Sequence, residues 1–319
     1  MLTLFICIAL GFLSKKARLL PDDAGTVMAK LETWIFCPAL SFSAMATYCT
    51  PDKIGAHAIN LLLSCFGLAI ALGIATPLSR LFARKESPER GIYIYALTFA
   101  NFGYMGDPVV LAIFGDEIFA YYKLFCLPLY MLIYLFGIGL LVPDDEGGAR
   151  GAIKKLLNPS TVAMLVGVAV GLSGIGGFIP SPVISAVDLL KDCMGPVAML
   201  LTGFIIAKYD AKKMLKCKRT YLATALRLIA IPAVILCSLF GLKELISLVI
   251  GAPISNGVIF LAFFATATPL GLNTVVFPEA YGGNPEIGAG MAMVSHAVGI
   301  LTIPILYSLL TLILGEPVF

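Results

Sequence analysis

Asn101-Phe102-Gly103-Tyr104-Met105-Gly106-Asp107-Pro108 lies inside the apolar run Gly91–Gly115, and its reading decides the fold. The run is long enough to cross a bilayer as helix, which takes about 20 residues. It nevertheless carries an acid and a proline near its middle. Proline removes a backbone donor and clashes with the preceding turn, so two half-helices are expected to meet at Asp107-Pro108. Backbone groups freed at mid-membrane are tolerated only where protein buries them or they line a wet cavity. A second run, about Asn256–Pro278, is interrupted in a comparable way at Pro269-Leu270-Gly271-Leu272-Asn273.

The rest of the chain has the same character. Its 319 residues are 59% hydrophobic and 13% charged, with net charge +3. Soluble domains run about 45–50% apolar and about 25% charged. The excess is spread along the whole length. That excludes a soluble enzyme with one apolar tail, a disordered chain, a collagen and a zinc-ribbon array. The apolar runs have the length of helical spans rather than of alternating barrel strands. The chain therefore reads as an all-α polytopic membrane protein.

Charge-free runs divide it into ten transmembrane helices. The first is the short Leu2–Leu13, whose positive charges follow it, so it reads as a span and not a signal peptide. Then come about Ala24–Tyr48 with Lys30 and Glu32, Ile54–Ser79, Gly91–Gly115 and Leu124–Pro143. A charged linker, Asp144–Lys155, follows. The sixth span begins near Pro159 and fades into Gly171–Gly177; the seventh is about Val183–Ala207 with Asp188, Lys191 and Asp192. The last three are Thr220–Leu242 with Arg227, about Asn256–Pro278, and Ile287–Gly315. With the N-terminus outside, the inner loops hold Lys15, Lys16 and Arg18; Arg80, Arg84, Lys85 and Arg90; Arg150, Lys154 and Lys155; and Lys208, Lys212, Lys213, Lys216, Lys218 and Arg219. The outer loops hold Lys53, Lys123 and Lys243. The positive-inside rule then gives N-out and C-out.

Five spans, an inner linker and five more spans make an inverted repeat, 1–147 and 148–319. Cys37-Pro38-Ala39-Leu40 in span two matches Gly195-Pro196-Val197-Ala198 in span seven. Phe99-Ala100 with Gly106-Asp107-Pro108-Val109-Val110 in span four matches Phe264-Ala265 with Gly271-Leu272-Asn273-Thr274-Val275-Val276 in span nine. Broken helices at corresponding places in inverted halves mark a transporter binding site. The second half-helix of each starts near the midplane with free N–H groups and a partial positive charge. Two such ends facing one cavity form an anion site.

The arrangement resembles the auxin efflux carrier family, with its bacterial organic-acid permeases. Asn101 to Pro108 resembles that family's span-four pattern, Pro269 to Asn273 its span-nine pattern, and Ser295 to Leu310 with Ile303-Pro304 its final span. Asp107 departs from the pattern, where an apolar residue is usual. The resemblance implies crossing broken helices four and nine, an architecture shared with bile-acid/sodium symporters. It implies a scaffold of spans 1, 2, 6 and 7 that makes a homodimer contact. It also implies a transport domain of spans 3–5 and 8–10 that moves in an elevator-like step.

The candidate substrate residues are Asn101, Gly103, Pro108, Thr268, Pro269, Gly271 and Asn273. Asn101 offers a donor and an acceptor to a substrate, or bonds a neighbouring helix. Asn273 reads as ligand, N-cap or both. Thr266 and Thr268 offer hydroxyls to a cavity or bond back to their own helix. Asp107 and His296 are the candidates for ion coupling. Asp107 is equally suited to N-cap a helix with Pro108 at its first position. An ionised Asp107 opposes an anion unless a proton or Na⁺ comes with it. His296 alternatively rests neutral against a neighbouring span. Arg227 is read as snorkelling to the basic inner loop, with contact to the substrate as the lesser alternative. Lys191 with Asp188 or Asp192, and Lys30 with Glu32, read as scaffold pairs or dimer contacts.

The expectation is a secondary transporter for a small organic anion, a mono- or dicarboxylate, in a bacterial inner membrane, coupled to H⁺, to Na⁺ or to neither, with an uncoupled channel or uniporter as the alternative. Its partners are the anion, the ion, the lipid bilayer and a second copy; no cofactor, resident metal or nucleic acid is implied. The eight cysteines show no metal spacing, and no phosphate-binding Gly-x-x-x-x-Gly-Lys motif is present. Three rival classes remain. Gly171-Leu172-Ser173-Gly174 with His296, or Gly103 to Asp107, loosely matches intramembrane proteases. A channel would pass its ion without saturation, and a receptor would bind without moving its ligand.

Overall fold

Apolar runs fold as helix in lipid because every backbone N–H and C=O must be satisfied within its own segment. The computed structural model describes residues 2–87, 89–141, 159–208, 217–281 and 285–319. The charged linker Asp144–Lys155, the stretch holding Lys212, Lys213 and Lys216, and Tyr209-Asp210 lie outside the described residues. Among the described residues there is no strand, only one isolated β-bridge. The α-helices are α1 (Leu2–Lys16), α2 (Ala24–Leu31), α3 (Cys37–Tyr48), α4 (Ile54–Leu78), α5 (Glu89–Thr98), α6 (Asp107–Leu132), α7 (Ile138–Leu141), α8 (Pro159–Ser173), α9 (Ser181–Lys208), α10 (Lys218–Ala225), α11 (Ile231–Ile250), α12 (Gly257–Thr266), α13 (Asn273–Tyr281) and α14 (Glu286–Leu314). Among the described residues five stretches are long and apolar enough to cross a membrane: Ala58–Leu81, Phe102–Leu141, Ser181–Lys208, Lys218–Ile250 and Glu286–Leu314. Pro159–Ser173 and Gly257–Thr266 are shorter apolar helices.

Several long helices run through single π turns: Glu32–Phe36, Phe102–Gly106, Ile133–Gly137 and Leu226–Ala230. Three of them are followed directly by Pro38, Pro108 and Pro232 at the first positions of α3, α6 and α11. A wider turn moves the carbonyl that a proline ring would strike, so the helix continues. This corrects the reading of Pro108. The chain does not divide at Asp107-Pro108; it leaves helix at Phe99–Asn101 and re-enters through the π turn. Pro196 likewise sits inside the unbroken α9. Span nine is interrupted as expected, with Ala267–Leu272 between α12 and α13.

Gly115 supplies a second correction. Its φ of 79° lies in the left-handed region that glycine adopts freely, so α6 turns there. The following segment starts at Asp116 rather than Leu124. Lys123 is therefore a helix residue, 2% exposed, and no loop residue. Lys243 is also buried, inside α11, with its ammonium on the Ile254 carbonyl at 3.2 Å.

The chain divides into two compact units. The first holds Met1–Ala58, Asp107–Leu124 and Arg150–Tyr209. In it α1 packs along α9, and α3 along α8. Lys191 pairs with Asp188 at 3.2 Å and Asp116 at 3.5 Å; Lys53 pairs with Glu117, and Lys15 with Asp22. A pocket of about 350 Å³ lies between residues 42–50, the end of α3 and the turn after it, and residues 170–188.

The second unit holds Ile59–Gly106, Phe125–Ala149 and Asp210–Phe319. Here α5 packs against α7, α10 against α14, and α13 against α14. The outer face of α14 exposes Leu301, Ile305, Leu309, Leu312 and Ile313. In a membrane helix such a face meets lipid tails, which are as apolar as the side chains. The tail after α14 folds back on the start of α12: Gly257 N–H donates to the Val318 carbonyl at 3.0 Å, and Asn256 Nδ2 to the Leu314 carbonyl at 2.7 Å.

Candidate functional site

The two interruptions of the second unit touch. Asn101 N–H donates to the Pro269 carbonyl at 2.7 Å, and Ala100 and Leu270 form the antiparallel bridge. Each irregular stretch thus satisfies backbone groups that the other has freed. Close approach demands glycine. A Cβ at Gly271 would lie 3.1 Å from the Ala100 carbonyl oxygen, and one at Gly299 of α14 would lie 2.6 Å from Pro269 Cγ. Leu270 N–H donates to Ser295 Oγ at 3.1 Å, so α14 supports the second interruption.

His296 follows Ser295 and is 2% exposed. Its Nδ1 lies 2.7 Å from the Ala292 carbonyl, which can only accept, so Nδ1 carries the hydrogen. Nε2 then accepts from Asn101 Nδ2 at 3.0 Å. This pairing joins a neutral histidine to the first interruption. Asn273, half-buried at the start of α13, donates from Nδ2 to Tyr95 Oη at 3.1 Å, and the Tyr95 ring lies 4.8 Å from that of Phe99. Thr266 bonds back to the Ala262 carbonyl at 2.6 Å. Thr268 Oγ1 is fully buried without a hydrogen-bond partner among the described residues. Gly103 sits under Tyr130, where an added Cβ would lie 2.9 Å from the hydroxyl. Asn101, Pro269, Gly271 and His296 are therefore in one cluster, with Asn273, Thr268 and Gly103 placed around the same two interruptions.

Asp107 and Pro108 group with the first unit. The residue before α6, Gly106, is helical at φ −65°, ψ −48°, so Asp107 stands inside a helix and is no N-cap. Its Oδ2 meets Lys123 Nζ at 2.7 Å, with both side chains buried. Lys123 Nζ also lies 4.0 Å from Cys37 Sγ and 5.6 Å from the Phe119 ring centroid. The cation that an ionised Asp107 requires is thus supplied from within the chain.

Two charged side chains depart from their sequence reading. Glu32 is 1% exposed in its π turn, with neither oxygen partnered among the described residues, whereas Lys30 is exposed; they form no pair. Arg227 does not snorkel; it is 2% exposed in the π turn between α10 and α11. Of the protease candidates, Ser173 Oγ bonds the Val170 carbonyl at 3.1 Å and His296 is engaged by Asn101 and Ala292. The sequence reading missed Lys123, Tyr95, Ser295 and Gly299. Only Ser295, adjacent to His296, carried a usable signal.

An all-helical chain with several apolar spans and two interrupted helices braced on each other is an integral membrane transporter in outline. A family model described as membrane transport protein matches residues 1–147 and 150–307, and the chain belongs to that family, the auxin efflux carrier family. No curated protein matches the chain.

Proposed function

We propose that the protein is a secondary transporter that moves a small organic anion, a mono- or dicarboxylate, by an elevator-type step. The observation that carries this reading is the contact of the two interruptions, Asn101 on Pro269 and Ala100 on Leu270. Polar, non-helical backbone deep in an apolar protein is where transporters bind substrate. In this reading the substrate contacts are Asn101, Gly103, Pro108, Thr268, Pro269, Gly271 and Asn273. The ten spans form the 5+5 repeat, with broken helices four and nine crossing. Spans 1, 2, 6 and 7 stay fixed as the scaffold and homodimer contact, and spans 3–5 and 8–10 carry the anion. The termini face outward across a bacterial inner membrane.

Coupling is assigned to Asp107, with His296 as a second titratable group. A proton or Na⁺ arriving at Asp107 would displace Lys123 and alter a buried pair, an event that responds to ion gradients. Uncoupled transport is the second reading, favoured by the same pair, because Lys123 already matches the charge of Asp107. Proteoliposomes decide between them. Saturable uptake of labelled malate, malonate or an indole carboxylate is expected, driven by an imposed pH or Na⁺ gradient in wild type and uncoupled in Asp107→Asn. Saturable uptake indifferent to both gradients would establish the uncoupled reading. Absence of uptake for every anion would overturn the carboxylate assignment.

A further inference from the structure

Arg227 presents a problem that the fold leaves unsolved. Its guanidinium is buried in the second unit, and no carboxylate among the described residues pairs with it. Nη1 reaches the Leu97 carbonyl at 3.5 Å, while Nε and Nη2 have no hydrogen-bond partner among the described residues. Arginine stays protonated, and an uncompensated buried charge is costly. Nε and Nη2 share one edge of the planar group, and that edge presents two parallel N–H donors at the spacing of carboxylate oxygens.

The surroundings continue the pattern. Thr98, next to Leu97, and Thr224, one helical turn before Arg227, are 4% and 5% exposed, and neither hydroxyl has a partner among the described residues. The π turn of Arg227 packs against α5 and α14. Those helices lead to Asn101 and carry His296, respectively. A π turn inside a helix is common at functional sites, since it re-aims side chains. Hydroxyls can donate to an anion, and hydroxyls left buried without acceptors are themselves unfavourable.

We propose that Arg227 receives the carboxylate of the transported anion through its Nε–Nη2 edge, with the Thr98 and Thr224 hydroxyls as further donors. The proposal rests on the organic-anion reading and names the charge that the paired interruptions lack. It also makes the anion's headgroup, rather than its body, the common requirement among substrates.

The test is uptake and ligand-induced thermal stabilisation of full-length protein with malonate, malate and an indole carboxylate. Each is compared with its neutral amide, for wild type, Arg227→Lys, Arg227→Gln and Thr98→Val. Loss of a charged bidentate bond is expected to weaken anion affinity at least about 10-fold in Arg227→Gln. Arg227→Lys should lose less, and amide binding should be unchanged in both. Thr98→Val should weaken the anion a few-fold. Wild-type anion affinity in a folded Arg227→Gln, or equal losses for anion and amide, would overturn the proposal while leaving the anion reading intact. If Arg227→Gln does not fold, wild-type affinity in both Arg227→Lys and Thr98→Val overturns it. Wild type that neither binds nor moves any of the anions overturns the reading beneath it.

Discussion

The Asp107–Lys123 pair shows what one contact changes. From sequence, Asp107 stands alone in an apolar run and Lys123 belongs to an outer loop. In the fold the two lie 2.7 Å apart and buried. Breaking a buried pair leaves one charge uncompensated, at about 3–5 kcal/mol. Lys123→Met should therefore destabilise by about that much, and Asp107→Asn/Lys123→Met by clearly less than the sum of the single changes, as read by thermal unfolding in detergent. Additive losses would mean the pair carries no energy. A surface pair behaves differently. The hydrogen bond from Lys15 holds the Asp22 carboxyl below the usual aspartate range. Because the folded value is lowered, the stabilisation is present above about pH 4 and is lost as pH falls through that lowered value. Wild type and Asp22→Asn should therefore differ at neutral pH and melt together in acid.

At the scale of elements, the contact between the interruptions depends on two glycines. Gly271→Ala places a Cβ 3.1 Å from a backbone oxygen, and Gly299→Ala places one 2.6 Å from the Pro269 ring. Neither neighbour can yield without moving an irregular backbone segment. Overpacking of this kind costs about 1–3 kcal/mol, so both variants should lower thermal stability and uptake. Gly73 in α4 has nothing within 4 Å of an added Cβ. Gly73→Ala should be neutral or stabilising by up to about 1 kcal/mol, through helix propensity. A Gly73→Ala loss equal to that of Gly299→Ala would show that packing at the interruption is not the cause. The π turns belong to this scale too. Pro108 was legible as a perturbation of the helix, but a proline can be absorbed by a wider turn, and local sequence does not say which outcome prevails.

For the molecule as a whole, orientation is the property that the inner-loop charges assign. The proposed N-out, C-out arrangement predicts that a single cysteine at Glu316, in a background without the eight native cysteines, reacts with a membrane-impermeant maleimide in intact cells. One at Arg84 should react only after permeabilisation. The opposite pattern would invert the topology. The tail adds a structural expectation. Deleting 316–319 removes the Val318 carbonyl from Gly257 N–H, and so should lower the melting temperature through the start of α12.

By itself the sequence determined the solvent, the element type and the family. Apolar runs near bilayer length force helix because lipid offers the backbone no partners. The Asn101 and Pro269 patterns placed the paired irregularities within one helical turn or two of where they lie. Only the tertiary structure decided where the first helix opens and which polar groups meet. It moved the opening from Pro108 to Phe99–Asn101, put His296 on Asn101, drew Lys123 to Asp107 and left Arg227 without an acid among the described residues. The physical reason is reach. Helical preference and membrane insertion are set by neighbours along the chain. Pairing between residues 195 positions apart, as in Asn101 and His296, depends on how helices pack and leaves no periodic trace in the sequence.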